Sequence, residues 1–479
     1  MKKYSTLLTL YLAQSIPMSF FSTIVPVIMR QENYSLAMIG LLQLIKLPWI
    51  FKFLWAPLVD RYGNSVKNYK RWIFTSELIY ALVILSIGFF NLKFDFQLII
   101  VLMLIAFTAS ATQDIATDAF AIRVLKRKER SLGNSMQSAG SFLGTMAGSG
   151  VLLVIYHYFG WHGMLGCLAC FVLIALIPLY FYKHKQTEDH DDEEPVRPHG
   201  HWFLKKRKVV NTAPVTETKA CAHGQSHEAL PEVAFKPASM KDIGLFFKQK
   251  GIGRRLILLF FFYSGLIGIL SLVKPFLVDQ GFTIKQIGII SGICGTASGA
   301  ISAIFAGFII RRIGRRNSLL LFALLGVLTT SFFVLFLGGP IAKLTLYTAV
   351  VFLWISYGMS SVAIYTISMD IVRKGREGTD FTIQIVITHL SGILITIASG
   401  KLADILGFRG LFMIETVVAI MVLISIPFLY REKLPDQGEE DQPHIDIASS
   451  RTSTIMHSNS DYGISNSPEN EEVIPKTGS

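Results

Sequence analysis

Charge is scarce in this sequence: only 16% of its 479 residues are Asp, Glu, Lys or Arg, against 51% hydrophobic. That balance excludes an ordinary water-soluble globule and points to a membrane protein. Cysteine is scarcer still, at four residues. Cys167, Cys170 and Cys294 fall in apolar runs and Cys221 in a polar one, so no extracellular disulfide framework is expected and the first three read as packing residues. No polar segment carries a Walker A loop, an HExxH helix, a nucleophile elbow or a dinucleotide fingerprint. These absences argue against an ATP-driven pump, against an enzyme and against a bound cofactor.

What is abundant is long apolar runs. Twelve of them recur, at 5–29, 36–59, 72–90, 96–121, 133–156, 162–182, 255–278, 284–310, 318–337, 342–369, 381–403 and 408–430. Each is about long enough, at roughly 20 residues, to cross a bilayer as a helix. The first is long for a secretory signal core and lacks a small-x-small cleavage site, so it reads as a span. No long soluble domain is expected before or after the helices.

The longest polar interruption divides the runs six and six. The expected fold is an all-α membrane protein with twelve transmembrane helices in two pseudo-symmetric six-helix bundles. Residues 1–182 form the N-terminal bundle, 183–254 a flexible linker, 255–430 the C-terminal bundle and 431–479 a disordered tail. His184, His190, His199, His201, Cys221, His223 and His227 crowd the linker, but their irregular spacing matches no closed zinc framework, so no metal site is expected. With the N-terminus in the cytoplasm, the connections 60–71, 123–130, 183–254, 311–316 and 373–376 and the tail share one side and hold most Lys and Arg. This topology accounts for the formal net charge of +12 without a nucleic-acid partner; basic loops also favour anionic lipid headgroups.

The halves resemble each other. "YFGWHGML" between the fifth and sixth runs matches "ILGFRGLF" between the eleventh and twelfth, aligning Gly160 with Gly407, Gly163 with Gly410 and Gln137 with Gln384. "DRYG" after the second run matches "RRIGRR" after the eighth, pairing Arg61 with Arg312 and Gly63 with Gly314. With these motifs the chain resembles the major facilitator superfamily. In that family the loop after the second helix carries a Gly-x-x-x-Asp-Arg-x-Gly-Arg-Lys motif, approximated here by "APLVDRYGNSVK" with Ala56 in place of Gly. In the second half Gly307 is kept and Arg311 replaces the acidic residue, so a lock across the halves would rest mainly on Asp60. The resemblance implies two bundles rocking about a central site. Gly140, Gly144, Gly148 and Gly150 permit close helix contact, whether for gating or for simple packing.

An ionisable side chain in a bilayer costs several kcal/mol, so each one should face a cavity or a partner. Lys46 and Lys52 lie in the second run, Glu77 in the third, Asp114 and Asp118 in the fourth, Lys274 in the seventh, His389 in the eleventh and Glu415 in the twelfth, with Asp370 at the inner end of the tenth. Gln14, Gln43, Gln113, Gln137 and Gln384 are uncharged candidates for the cavity. Four residues turn a helix by about 400°, so Asp114 and Asp118 share a face. Either one of them carries a proton at neutral pH and couples transport to a proton gradient, or both pair with Lys46, Lys52 or Arg123 and hold a gate. Lys46 either binds an anionic substrate or neutralises Asp114, while Lys52 is near enough to the cytoplasm to snorkel. Asp60, Arg61, Gly63, Lys52, Gly307, Arg312, Gly314 and Asp370 make up the gating set.

"SATQDIATDAF" and "ERSLGNSMQSAGSFLG", with "LPWIFKFLWAPLVDRYG" and "YLAQSIPMSF", resemble the AmpG-type permease branch, which also includes acetyl-CoA transporters and is close to siderophore-uptake permeases. That resemblance implies proton-driven import of peptidoglycan breakdown products through a monomer in a bacterial inner membrane, both termini cytoplasmic. Gln113, Asp114, Ile115 and Asp118 occupy its fourth-helix pattern. Uptake of an iron-siderophore or another bulky anionic metabolite is the alternative, and a non-transporting receptor a remote one.

Overall fold

The computed structural model describes residues 2–31, 45–90, 94–182, 237–336 and 342–430. Gln43, the outer part of the second span, the histidines of the linker and the tail lie outside the described residues. Met1–Pro435 group as one compact unit.

Among the described residues the fold is all helix. Seven helices are long and apolar enough to cross a membrane unaided. The first, second, third and fifth spans do not meet that measure. Of these, the first and fifth hold the Ser, Asn and Gln of "YLAQSIPMSF" and "GNSMQSAGS", and lipid tolerates such a helix only where its polar side faces other helices or a cavity. They are helix Lys2–Gln31 and helix Arg130–Met146, and they pack on each other. Gly140, Gly144 and Gly148, one turn apart, bring the two backbones together: a Cβ at each would meet the carbonyl oxygen of Leu8 at 2.6 Å, Leu12 at 2.6 Å and Ile16 at 2.1 Å. Gly150 faces open space and belongs to no such contact.

The expected boundaries at Gly160 and Gly407 are sharp turns. Helix continues on both sides, but Gly160 (φ 65°) and Gly407 (φ 68°) adopt the left-handed region, so fifth passes to sixth span and eleventh to twelfth without a longer loop. The second span is broken differently. Pro48 and Pro57 each sit in the first turn of a short helix, Leu47–Phe51 and Ala56–Tyr62, and the chain between them passes through a 3₁₀ turn at Lys52–Leu54. The third span, Val66–Ile87, starts at Ser65, whose Oγ accepts from the amide of Asn68 at 3.2 Å. One helix, Lys241–Lys248, falls in the segment expected to be flexible linker, and its Phe246 is fully buried against Ile252, Ile371 and Ile383. Its "GLFF" stretch is too short for the periodicity that reveals longer helices.

Each half holds two apolar clusters, one toward each end. Large apolar side chains such as Leu82, Phe305, Leu328, Val417 and Phe428 are exposed on the outside, the arrangement a hydrocarbon environment requires. The halves meet along the fifth and tenth spans at the end bearing the basic connections. From that end outward the ladder runs Arg130 to Asp370, Asn134 to Thr366 (3.4 Å), Ser138 to Ser361 (3.0 Å) and Phe142 to Trp354 and Tyr357. The hydrogen bonds from Asp60, Arg123, Arg130, Asn134, Ser138 and Arg315 that join the halves all lie on the basic side of Phe142. The halves are therefore joined at the basic end.

A candidate transport site and its gate

The fourth span, Phe96–Val124, is buried almost continuously from Ala106, and alanines at 109, 111, 116, 119 and 121 let its neighbours come close. Asp114 lies ten residues before the end of this helix, about 15 Å into the membrane at 1.5 Å per residue. Its two oxygens are divided between Lys52, an ion pair, and the amide of Gln14. Lys52 is fully buried, with its Nζ 4.9 Å from the centroid of the Trp49 ring. This corrects the expectation that Lys52 snorkels toward the cytoplasm as part of the loop motif. The two prolines break the helix around it and turn its side chain inward.

Asp118 has different company. It accepts from the hydroxyl of Tyr11 at 2.6 Å and from Nε2 of Gln137 at 3.4 Å, both neutral. The Oε1 of Gln137 is buried without a donor. The two carboxylates of one helix face are thus distinct: one is compensated by a cation and one is held by neutral groups. Burying the first is feasible because its charge is paired; burying the second as an anion is costly.

The other sequence candidates scatter. Lys46 is half-buried, and no described carboxylate pairs with it, so neutralising Asp114 falls to Lys52 instead. Gln113 is fully buried with neither amide atom partnered. His389 is half-buried in the eleventh span, where it feels the charges of Lys52 and Asp114. Gln384, the counterpart of Gln137, does not reach the cavity: its Nε2 donates to the carbonyls of Ser368 and Asp380 at 3.1 and 3.0 Å, tying the tenth span to the eleventh. Glu415 packs within the C-terminal half, accepting from Ser399 at 2.6 Å and lying against Gly268.

The gating set is rearranged as well. Asp60 caps the eleventh span of the opposite half, accepting from the amides of Gly378 (2.8 Å) and Thr379 (2.7 Å) and from the Thr379 hydroxyl (2.6 Å), while Tyr69 donates to it at 2.8 Å. Burial pushes its carboxyl up to about 6, against the lowering effect of these donors. Gly63 makes room for the Tyr69 ring, and Gly307 for Ser135 of the other half. Gly314, at φ 85°, makes the turn out of the eighth span. Arg61 and Arg312, expected at the gate, are exposed, Arg61 lying over the ring of Tyr62. Their place is taken by Arg123, which meets Glu377 at 3.2 Å, and by Arg130 and Arg315, which hold Asp370 at 3.1 and 2.9 Å. Arg123 was a sequence candidate for pairing with the aspartates; it lies too near the basic end and crosses to the other half instead.

The sequence profile described as Major Facilitator Superfamily matches residues 7–396 and 300–459. The chain belongs to the major facilitator superfamily. As in other transporters of the superfamily, no enzymatic role is called for. The chain is 24% identical over 427 residues to the anhydromuropeptide permease of Escherichia coli (strain K12), covering 88% of this chain and 78% of the relative. It is 20% identical over 415 residues to the putative transporter AmpG 4 of Rickettsia conorii, covering 85% and 92%. The crystal structure of the superfamily transporter FucP in the outward conformation matches with a TM-score of 0.60 at 13% identity, covering 90% of this chain and all of that one (100%). A bacterial homologue of the iron transporter ferroportin in an outward-facing state matches with a TM-score of 0.59 at 13% identity, covering 90% and 99%. Both structural likenesses speak to the fold, that of a multi-pass membrane transporter.

Proposed function

We propose that this transporter imports peptidoglycan breakdown products, anhydromuropeptides, across a bacterial cytoplasmic membrane by proton-coupled alternating access, acting as a monomer. The observation that carries the coupling is the unequal pairing of Asp114 and Asp118. Asp114 is committed to the Lys52 cation and the Gln14 amide, which hold it in place. Asp118 takes the proton: a protonated carboxyl donates to the unpartnered Oε1 of Gln137 after a rotation of that amide, so both states find partners.

The basic end, bearing both termini, is assigned to the cytoplasm. The contacts that join the halves then lie on the cytoplasmic side, so this arrangement is read as the one that admits substrate from outside. A proton reaches Asp118 from that side, substrate enters, and the halves rock, parting the Asp60 cap and the Arg123–Glu377 and Arg130–Asp370 pairs. Asp118 then loses its proton on the cytoplasmic side. Lys46, without a described carboxylate partner, is the cation available to a carboxylate of the substrate. The substrate class is supported by the named relative, which aligns with 88% of the chain.

The test is uptake of a labelled anhydromuropeptide into proteoliposomes with and without an inward proton gradient. Accumulation above equilibrium only with the gradient is expected. Equal uptake in both would remove coupling, and none at all in correctly inserted protein would remove the substrate.

A further inference from the structure

The connection between the tenth and eleventh spans, with the helix start that follows it, forms the C-terminal side of the gate. Asp370 holds Arg130, Glu377 holds Arg123, and the amides of Gly378 and Thr379 hold Asp60. Part of what fixes this connection is internal: Arg373 reaches forward to Asp380, with Nε at 2.8 Å and Nη2 at 2.6 Å, and Gly375 turns at φ 76°. The rest comes from helix Lys241–Lys248, in the segment that joins the halves. Asp242 serves the connection twice. Its carboxylate pairs with Arg376 at 2.9 Å, and its backbone carbonyl accepts from Arg373 at 2.9 Å. That carboxylate is itself held at the start of its helix, where it accepts from the Ser239 amide at 2.7 Å. Four residues on and therefore on the same face, Phe246 is fully buried against Ile371 and Ile383, and Phe53 of the N-terminal half packs on the same cluster.

We propose that helix Lys241–Lys248 presets the gate, with Asp242 as its positioning residue: it holds the connection 370–376 in the shape that receives Asp60, Arg123 and Arg130 of the other half. Each of those contacts is worth little by itself. Ordering the connection at the moment the halves close would consume much of what they return, whereas a connection ordered beforehand lets them sum. Asp60, Arg123 and Arg130 bind the connection and the helix start after it, and Asp242 acts on them only through Arg373 and Arg376. Through Gly251, at φ 83°, the linker helix leads directly into the seventh span, so it travels with the half whose gate it shapes. Cover for an apolar surface would need Phe246 alone; binding both arginines of one connection through a single residue is what an ordering role requires. The proposal concerns the gate and is independent of what the transporter carries.

The experiment is a distance measurement between spin labels at Lys67 and Arg316, both exposed at the basic end and one on each half, in the full-length protein in liposomes without substrate. Asp242→Asn keeps an acceptor for the Ser239 amide and loses the ion pair. It is expected to raise the ratio of wide to narrow mouths about two- to fivefold. Arg376→Gln should do the same, and the two together no more than either alone. Phe246→Ala should raise the ratio further and Phe246→Leu should keep most of the narrow form; if Phe246→Ala folds poorly, the Asp242 and Arg376 variants decide. A helix that merely supports the fold would give lower unfolding temperatures in these variants with the distance distribution unchanged, and that result overturns the proposal. Additive shifts from Asp242→Asn and Arg376→Gln overturn it as well. Because no substrate is present, either result leaves muropeptide transport standing, and a failure of muropeptide uptake would leave the preset gate standing.

Discussion

Arg123 and Asp370 occupy the same position in the two halves, with opposite charge. The offset that aligns Gln137 with Gln384 carries Arg123 onto Asp370 and Arg130 onto Glu377. Each meets its partner across the interface, Arg123 to Glu377 at 3.2 Å and Arg130 to Asp370 at 3.1 Å. A pseudo-two-fold axis thus relates two ion pairs whose polarity is reversed, so the N-terminal half offers both cations, Arg123 and Arg130, and the C-terminal half both anions, Glu377 and Asp370. Identical halves would place like charges together here; the reversal makes the interface attractive on both sides of the axis.

Reversing one pair is therefore expected to open the basic end, and reversing both partners to close it again. Arg123→Glu places two carboxylates together, and Arg123→Glu with Glu377→Arg restores attraction. Because Arg123 is partly exposed, the coupling should be about 1 kcal/mol, and it is best read by a double-mutant cycle on cysteine accessibility at the cytoplasmic mouth. Additive effects of the two substitutions would remove the pair from the gate.

The two aspartates should fail in different ways. Asp114→Asn leaves Lys52 buried without its counter-charge, a loss of about 3–5 kcal/mol that appears first as a lower unfolding temperature in detergent. Lys52→Met combined with Asp114→Asn should recover much of that stability. Asp118→Asn keeps a side chain that accepts from Tyr11, so the protein should stay folded and bind substrate, exchange it across the membrane, and lose gradient-driven accumulation. Loss of stability in Asp118→Asn with none in Asp114→Asn would invert the assignment.

The spans were legible because a bilayer demands apolar residues at every lipid-facing position, and Gly160 and Gly407 announced the turns between them by their matched settings. Lys52 was not legible, because its direction depends on how Pro48 and Pro57 break the helix that carries it. Nor were the partners of Asp60 or Arg123, which lie on the opposite half far along the chain. One signal was present and went unused: the repeat that pairs Gly160 with Gly407 also pairs an arginine with an aspartate and an arginine with a glutamate, and charge reversal at equivalent positions marks a contact across the axis. Tyr11 and Trp354 left no such mark, since an aromatic residue in an apolar run looks like any other packing residue.

The glycine stripe gives a test of packing without charge. A Cβ at Gly144 would lie 2.6 Å from the Leu12 carbonyl oxygen, whereas one at Gly150 would meet nothing within 4 Å. Gly144→Ala is expected to push the first and fifth spans apart and cost about 1–3 kcal/mol, while Gly150→Ala should be neutral or slightly stabilising. Thermal unfolding of the two variants in the same detergent separates them, and equal unfolding temperatures would mean the spans are not held at this distance.

Asp60 makes the gate sensitive to cytoplasmic pH. In the closed arrangement burial raises its carboxyl to about 6, whereas in water, once the halves part, it returns to the usual value near 3.8. The closed state therefore holds the proton more tightly. Stabilisation from this group is complete below about 4 and is withdrawn as pH rises through about 6, by at most about 3 kcal/mol. Ionised Asp60 still accepts from Gly378, Thr379 and Tyr69, so the cap weakens with rising pH without vanishing. Spin labels at Lys128 and Lys374, on the connections of the two halves, should report a growing population with a wider cytoplasmic mouth between pH 4 and 7. Asp60→Asn, which cannot ionise, should flatten that dependence, and Asp60→Ala, which loses every acceptor, should favour the wide mouth at all pH values. A profile in Asp60→Asn as steep as that of the unaltered protein would remove Asp60 as the source of the pH dependence.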